Sequence, residues 1–203
     1  MRKSFLTRFL IAALWSGAAY AQGIQNYDIF ISAGPVWTRS NVIPGTNVTL
    51  AGSTGHSIEI DYGYQFERMS AASLMADVWS TFAFPGAWKA ELPVSGGNSS
   101  SWGAFALGLR LMVPVKPRLS FYAVSDGGFT AFSIPFVTEG ANPTVTSTGD
   151  TSHGAFIFGG GADLRLSRWF SLRAEVRDLV TGRELSGAGR NHPLPVFGVA
   201  IHF

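Results

Sequence analysis

Residues 57–66 read SIEIDYGYQF. Ile58, Ile60, Tyr62, Tyr64 and Phe66 fall at every second position, and Ser57, Glu59, Asp61, Gly63 and Gln65 fall between them. Successive side chains of a strand point to opposite faces, so this stretch is a strand with one bulky apolar face and one polar face. Two carboxylates on the polar face need water or cationic partners.

The same alternation recurs seven more times. Residues 26–37 carry Tyr27, Ile29, Ile31 and Ala33 on one face. Residues 73–83 set Leu74, Ala76, Val78 and Phe82 against Ser73, Met75, Asp77 and Thr81. Residues 102–113 set Phe105, Leu107, Leu109, Leu111 and Val113 against Ala104, Ala106, Gly108 and Arg110. Residues 118–130 set Leu119, Phe121, Ala123 and Phe129 against Ser120, Tyr122, Asp126 and Gly128. Residues 154–166 set Phe156, Phe158, Ala162, Leu164 and Leu166 against Gly159, Gly161, Asp163 and Arg165. Residues 170–180 set Phe170, Leu172, Ala174 and Val176 against Ser171, Arg173, Glu175 and Arg177, and residues 195–203 close the series. Most of these strands run to roughly 10–13 residues. A tilted strand needs about 9–11 to cross a bilayer, against roughly 5–6 for an average strand.

The connections sort by length. Long segments at about 38–55, 84–101, 131–153 and 181–194 alternate with short ones at about 67–72, 114–117 and 167–169. All long connections therefore lie at one end of the sheet and all short turns at the other, the arrangement of a membrane barrel. The expected fold is all-β: an eight-stranded antiparallel up-and-down transmembrane β-barrel.

Side-chain bulk decides which face is inside. Eight strands enclose a lumen that side chains just fill. Gly63, Ala104, Ala106, Gly108, Gly159, Gly161, Gly198 and Ala200 lie on the polar faces, whereas Phe, Leu and Ile occupy the apolar ones. The polar faces are thus expected to line a lumen with an ionic network of Glu59, Asp61, Asp77, Asp163 and Glu175 with Arg110, Arg165, Arg173 and Arg177. A turn centred on Arg168 places Asp163 opposite Arg173. Closure of the barrel brings His202 and Asp28 inward near the short-turn end.

Composition agrees with this reading. Of 203 residues, 46% are hydrophobic and only 14% charged, with 24 Gly, 16 Phe and 6 Trp; a soluble domain carries roughly 25% charged residues. Aromatic residues gather near strand ends (Tyr27, Trp37, Phe66, Phe82, Phe84, Trp102, Trp169, Phe170, Phe203), as interfacial girdles do. Residues 1–21, MRKSFLTRFLIAALWSGAAYA, pair early cations with an apolar run and a small-x-small ending, which predicts a signal peptide. The remaining residues 22–203 are expected to form one barrel domain. Arg2, Lys3 and Arg8 are three of the 15 basic residues; without them 12 basic residues face 13 acidic ones, a net charge of −1. Nothing there favours nucleic acid as a partner. The absence of Cys rules out disulfides and thiol chemistry.

No catalytic constellation is expected. His56 and His153 adjoin Ser57 and Ser152, but neighbours on a strand face opposite ways and cannot pair as base and nucleophile. Gly159–Gly161 lacks the Lys-Ser/Thr and helix of a phosphate loop. No metal site and no cofactor are predicted.

On the eight alternating strands, the sorted connections, the leader, the segment FGGGADLRLSRWFSLRAEVRD (158–178) and the final Phe203, the chain resembles the small bacterial outer-membrane barrels, the group containing the OmpA transmembrane domain and OmpX. The resemblance implies outer-membrane localisation, lipid as surroundings and a monomer. It also implies a C-terminal signal, here Phe197, Val199, Ile201 and Phe203, read by the barrel-assembly machinery. The implied function is a structural or interaction scaffold with four extracellular loops, in envelope integrity or adhesion, and not an enzyme; the alternative is a narrow solute channel or a lipid-modifying enzyme.

Overall fold

The computed structural model describes residues 26–37, 41–42, 49–51, 54–84, 89–90, 101–138, 144–181 and 190–203. The predicted signal peptide, Trp88 and much of the long connections lie outside them. Eight strands form one closed antiparallel barrel: β1 (Tyr27–Trp37), β2 (Thr54–Arg68), β3 (Ser73–Phe84), β4 (Ser101–Lys116), β5 (Leu119–Thr138), β6 (Thr144–Arg165), β7 (Phe170–Thr181) and β8 (Asn191–His202). Each pairs with its neighbours in sequence, and β8 closes on β1.

The stagger of this closure can be traced residue by residue. From Asp28, paired positions lead through Gly63, Asp77, Gly108, Asp126, Ile157 and Leu179 to His192. Yet Asp28 itself pairs with His202, ten residues farther along β8. Ten residues of stagger over eight strands tilt the strands by about 40° to the barrel axis. The 11 residues of β1 then rise about 25 Å along that axis, the height of an outer-membrane apolar band.

Two expectations need correction. The segment 131–153, read as a connection, is largely strand: β5 and β6 stay in register as far as Thr138 opposite Thr144, with one irregularity at Phe136/Val137. Its Ser, Thr, Pro and Gly content resembles a loop, but Ile134, Val137, Val145 and several Thr are β-branched, and a hairpin already formed by the barrel can extend through them. Likewise β8 starts at Asn191 rather than Pro195. In addition, Asn41–Val42, Thr49–Ala51 and Lys89–Ala90 form a small three-stranded sheet that ties the first long connection to the second.

The closing seam depends on a residue without a side chain. A Cβ on Gly198 would stand 2.0 Å from the Ile31 carbonyl oxygen and 2.6 Å from Ser32 Cα. Both are backbone atoms of β1, which cannot swing aside. Gly198→Val is therefore expected to lose most of the compact, SDS-resistant form seen on unheated gels, whereas Val199→Ala, on the outer wall, should retain it.

Candidate functional site: a charged lumen beneath an apolar plug

Inward positions alternate with outward ones on every strand. On β7, Ser171, Arg173, Glu175, Arg177, Leu179 and Thr181 are buried, while Phe170 and Val176 are 47% and 53% exposed. The outer wall is continuously apolar: Ile31, Ile58, Leu107, Leu109, Phe121, Phe129, Phe156, Phe158 and Phe197 are all exposed. Soluble monomers rarely expose contiguous apolar patches beyond a few hundred Å². Tyr27 stacks on Tyr64 and Phe203 at the short-turn end, with ring centroids 5.0 and 5.9 Å apart. Trp37 and Phe84 mark the other rim.

Inside, three guanidiniums organise the acids. Arg110 bridges Asp28 at 3.1 Å, Asp61 at 2.5 Å, and Asp77. Arg173 bridges Asp28 at 2.6 Å and Asp163 at 3.0 Å. Arg177 holds four carboxylates: Asp77 at 3.1 Å, Asp126 at 2.9 Å, Asp61 and Glu175. Tyr122 donates its hydroxyl to Glu175 at 2.5 Å and lies with its ring between Arg110 and Arg173. Trp79 donates its indole N–H to Glu59 at 2.9 Å, and its ring faces Arg177. At the short-turn mouth, Ser171 donates to Asp163 and contacts the His202 ring nitrogen, both at 2.8 Å.

Glycines give the arginines room. Asp28, Gly63, Asp77, Gly108 and Asp126 follow one row of paired positions across five strands. A Cβ on Gly63 would come within 2.6 Å of Asp28 Oδ1 and 3.2 Å of an Arg110 nitrogen. The alternation of acid and glycine lets long guanidinium side chains cross the lumen where bulkier neighbours would block them.

Seven of the nine residues expected in the lumen network are joined by ion pairs: Asp61, Asp77, Arg110, Asp163, Arg173, Glu175 and Arg177. Glu59 stands beside them through Trp79 rather than through an arginine. Arg165 is placed differently. It is half-buried at the mouth, and its guanidinium donates to the carbonyls of Ser167 and Arg168 at 3.3 and 3.1 Å. Asp28 and Asp126 are full members that the expected network left out, although the alternation set Asp126 on the polar face and barrel closure turned Asp28 inward.

The lumen is not polar throughout. Towards the long connections, Val36, Trp79, Ala83, Ala104, Ala106, Ile157, Leu179 and Leu194 pack into one buried cluster with Trp102 and Ala155 against it. Trp79, Ile157 and Leu179 are 0% exposed. This apolar plug stands above the ionic lattice. Among the described residues no group of three or more His, Asp or Glu side chains is arranged to hold a metal ion. His56 is on the outer wall beside Phe84, at 5.4 Å between ring centroids, whereas Ser57 is buried.

An apolar exterior around an ion-paired interior is the inverse of a soluble lipid-carrying barrel and defines an eight-stranded transmembrane β-barrel. No known protein family matches the sequence, and no curated protein matches it. Solved structures do. Neisserial surface protein A has a TM-score of 0.51 at 13% identity over 87% of this chain and 96% of its own. Ail, the attachment invasion locus protein of Yersinia pestis, has a TM-score of 0.47 at 13% identity over 88% and 99%. The N-terminal β-barrel domain of Pseudomonas aeruginosa OprF has 0.45 at 13% over 88% and 98%. The first of these supports the fold.

Removing one partner of a buried ion pair leaves uncompensated charge and costs about 3–5 kcal/mol. Arg177→Leu leaves Asp126 and Glu175 without an arginine, while Asp61 and Asp77 keep Arg110, and is expected to lower the unfolding free energy in urea by about that amount. Arg165→Gln, at the mouth, should change it by less than about 1 kcal/mol. Equal losses in the two variants would contradict the separation between lattice and mouth.

Proposed function

We propose that the chain is an integral protein of the bacterial outer membrane that serves as a rigid scaffold for its four long connections, in adhesion or envelope integrity. The observation that carries this reading is the close packing of charged and apolar side chains in the lumen. Three arginines cross-link the acids, and the apolar cluster around Trp79, Ile157 and Leu179 packs above them. Such close packing of the interior favours a scaffold over a channel, with interaction at the ends of the barrel. The extended β5–β6 hairpin and the sheet joining the first two long connections support a built surface at that end.

Membrane lipid is then the partner of the outer wall, and the barrel acts as a monomer. Phe197, Val199 and Ile201 point outward on β8. Phe203 exchanges backbone hydrogen bonds with Tyr27 at 3.0 and 3.1 Å. That terminal segment would serve as the signal for the barrel-assembly machinery.

Two measurements test the reading. The membrane-extracted protein should migrate differently in SDS with and without boiling, and planar bilayers containing it should show no stepwise conductance. A soluble, heat-insensitive product would overturn the membrane assignment, and stable conductance steps would favour the channel alternative. Phe203→Ala should lower the yield of heat-shifting protein in cells several-fold while leaving refolding from urea into detergent nearly unchanged. A refolding defect as large as the cellular one would instead make Phe203 a simple stability residue.

A further inference from the structure

The short-turn rim carries charge that the lumen does not use. Lys116 and Arg118 flank the β4–β5 turn, and Arg168 sits in the β6–β7 turn; all three are exposed. These turns are adjacent: the Arg165 N–H donates to the Arg118 carbonyl at 2.7 Å, and Leu119 pairs with Leu164. Arg165 adds its charge between them, with its guanidinium on the Arg168 carbonyl. None of the ion pairs among the described residues involves Lys116, Arg118 or Arg168. Asp163, the nearest acid in sequence, is turned inward to Arg173 and Ser171.

These cations stand directly beside an apolar wall. Leu164, Leu166 and Phe170 are exposed on its outer surface, and Val115 is 55% exposed at the turn itself. Arg168 lies over the Trp169 ring, 4.8 Å from its centroid. An indole at this level suits the membrane–water interface, and stacking on it holds the guanidinium there. Cations concentrated over an acyl-compatible surface match one ligand chemistry: a phosphate group with hydrocarbon attached.

We propose that Lys116, Arg118 and Arg168 form a binding site for the phosphate headgroup of an anionic phospholipid in the periplasmic leaflet, with its acyl chains lying against Leu164, Leu166 and Phe170. This rests on the membrane reading above, which puts the short turns on the periplasmic side. A free anion would gain nothing from the apolar wall, which is why lipid is favoured over inorganic phosphate.

The test uses the full chain in nanodiscs of phosphatidylcholine doped with phosphatidylglycerol, followed by native mass spectrometry of retained lipid. Phosphatidylglycerol should be retained over phosphatidylcholine by about fivefold or more, since each cation near a charged headgroup favours it by about that factor. The variant K116Q/R118Q/R168Q should bring the ratio close to one, and R118Q and R168Q alone should each lower it. R68Q, which removes a cation from the β2–β3 end, should leave it unchanged. No preference in the wild type, or equal loss in R68Q, would overturn the site. Displacement of the lipid by millimolar inorganic phosphate would reassign it to a free anion, and preferential capture of soluble cell-wall fragments would reassign it to that polymer. The heat-dependent gel shift separates the two levels: a barrel that shifts and inserts but does not discriminate sinks this site alone, whereas one that does neither sinks the membrane reading.

Discussion

The structure depends on the pairing of charge inside a tube too narrow to hydrate it. Arg177 meets Asp61, Asp77, Asp126 and Glu175, which come from strands β2, β3, β5 and β7. One guanidinium therefore ties together strands on different sides of the barrel. A buried pair gains little net stability over an apolar substitute, because desolvation offsets the attraction. Breaking such a pair is the costly event, because it leaves a charge buried without its partner. In the ten-residue stagger Arg110, Arg173 and Arg177 each meet two or more acids.

The outer wall follows from the same constraint. A narrow interior shared by Asp, Arg, Gly and a few apolar side chains has no room for the remaining bulky residues, which go outside. In a bilayer that outward apolar surface is satisfied by lipid, and closure of β8 on β1 leaves no barrel edge with unpaired backbone groups. The interior also divides by height. Ionic side chains lie in the half nearer the short turns, with Phe30, Val196 and Ala200 packed among them, and Trp79, Ile157, Leu179 and Leu194 cluster in the other. Trp79 belongs to both halves, donating to Glu59 and packing in the plug.

Much of this was legible in the chain. Period-2 alternation located all eight strands, and the sorting of connections by length gave the up-and-down topology. Side-chain bulk assigned the faces, since Gly and Ala share the side of the charges. Local turn geometry even gave one pairing, Asp163 opposite Arg173. The reading failed where local signals are ambiguous. The polar β-branched run at 144–151 looks like a loop, but it lies in strand because its partner strand is already held in place. Arg165 alternates with Asp163 on its strand, yet it sits one step from the turn, where its guanidinium donates to the carbonyls of Ser167 and Arg168.

The sequence by itself determined the strand count, the faces and the order of pairing, because each follows from a repeat of two and from connection length. Only the tertiary structure decided who meets whom inside. The row of Asp28, Gly63, Asp77, Gly108 and Asp126 is drawn from five strands, and the plug is drawn from residues between Val36 and Leu194. Those neighbourhoods are set by the stagger with which the last strand closes on the first. That stagger is a property of the whole ring, and no stretch of sequence carries it alone.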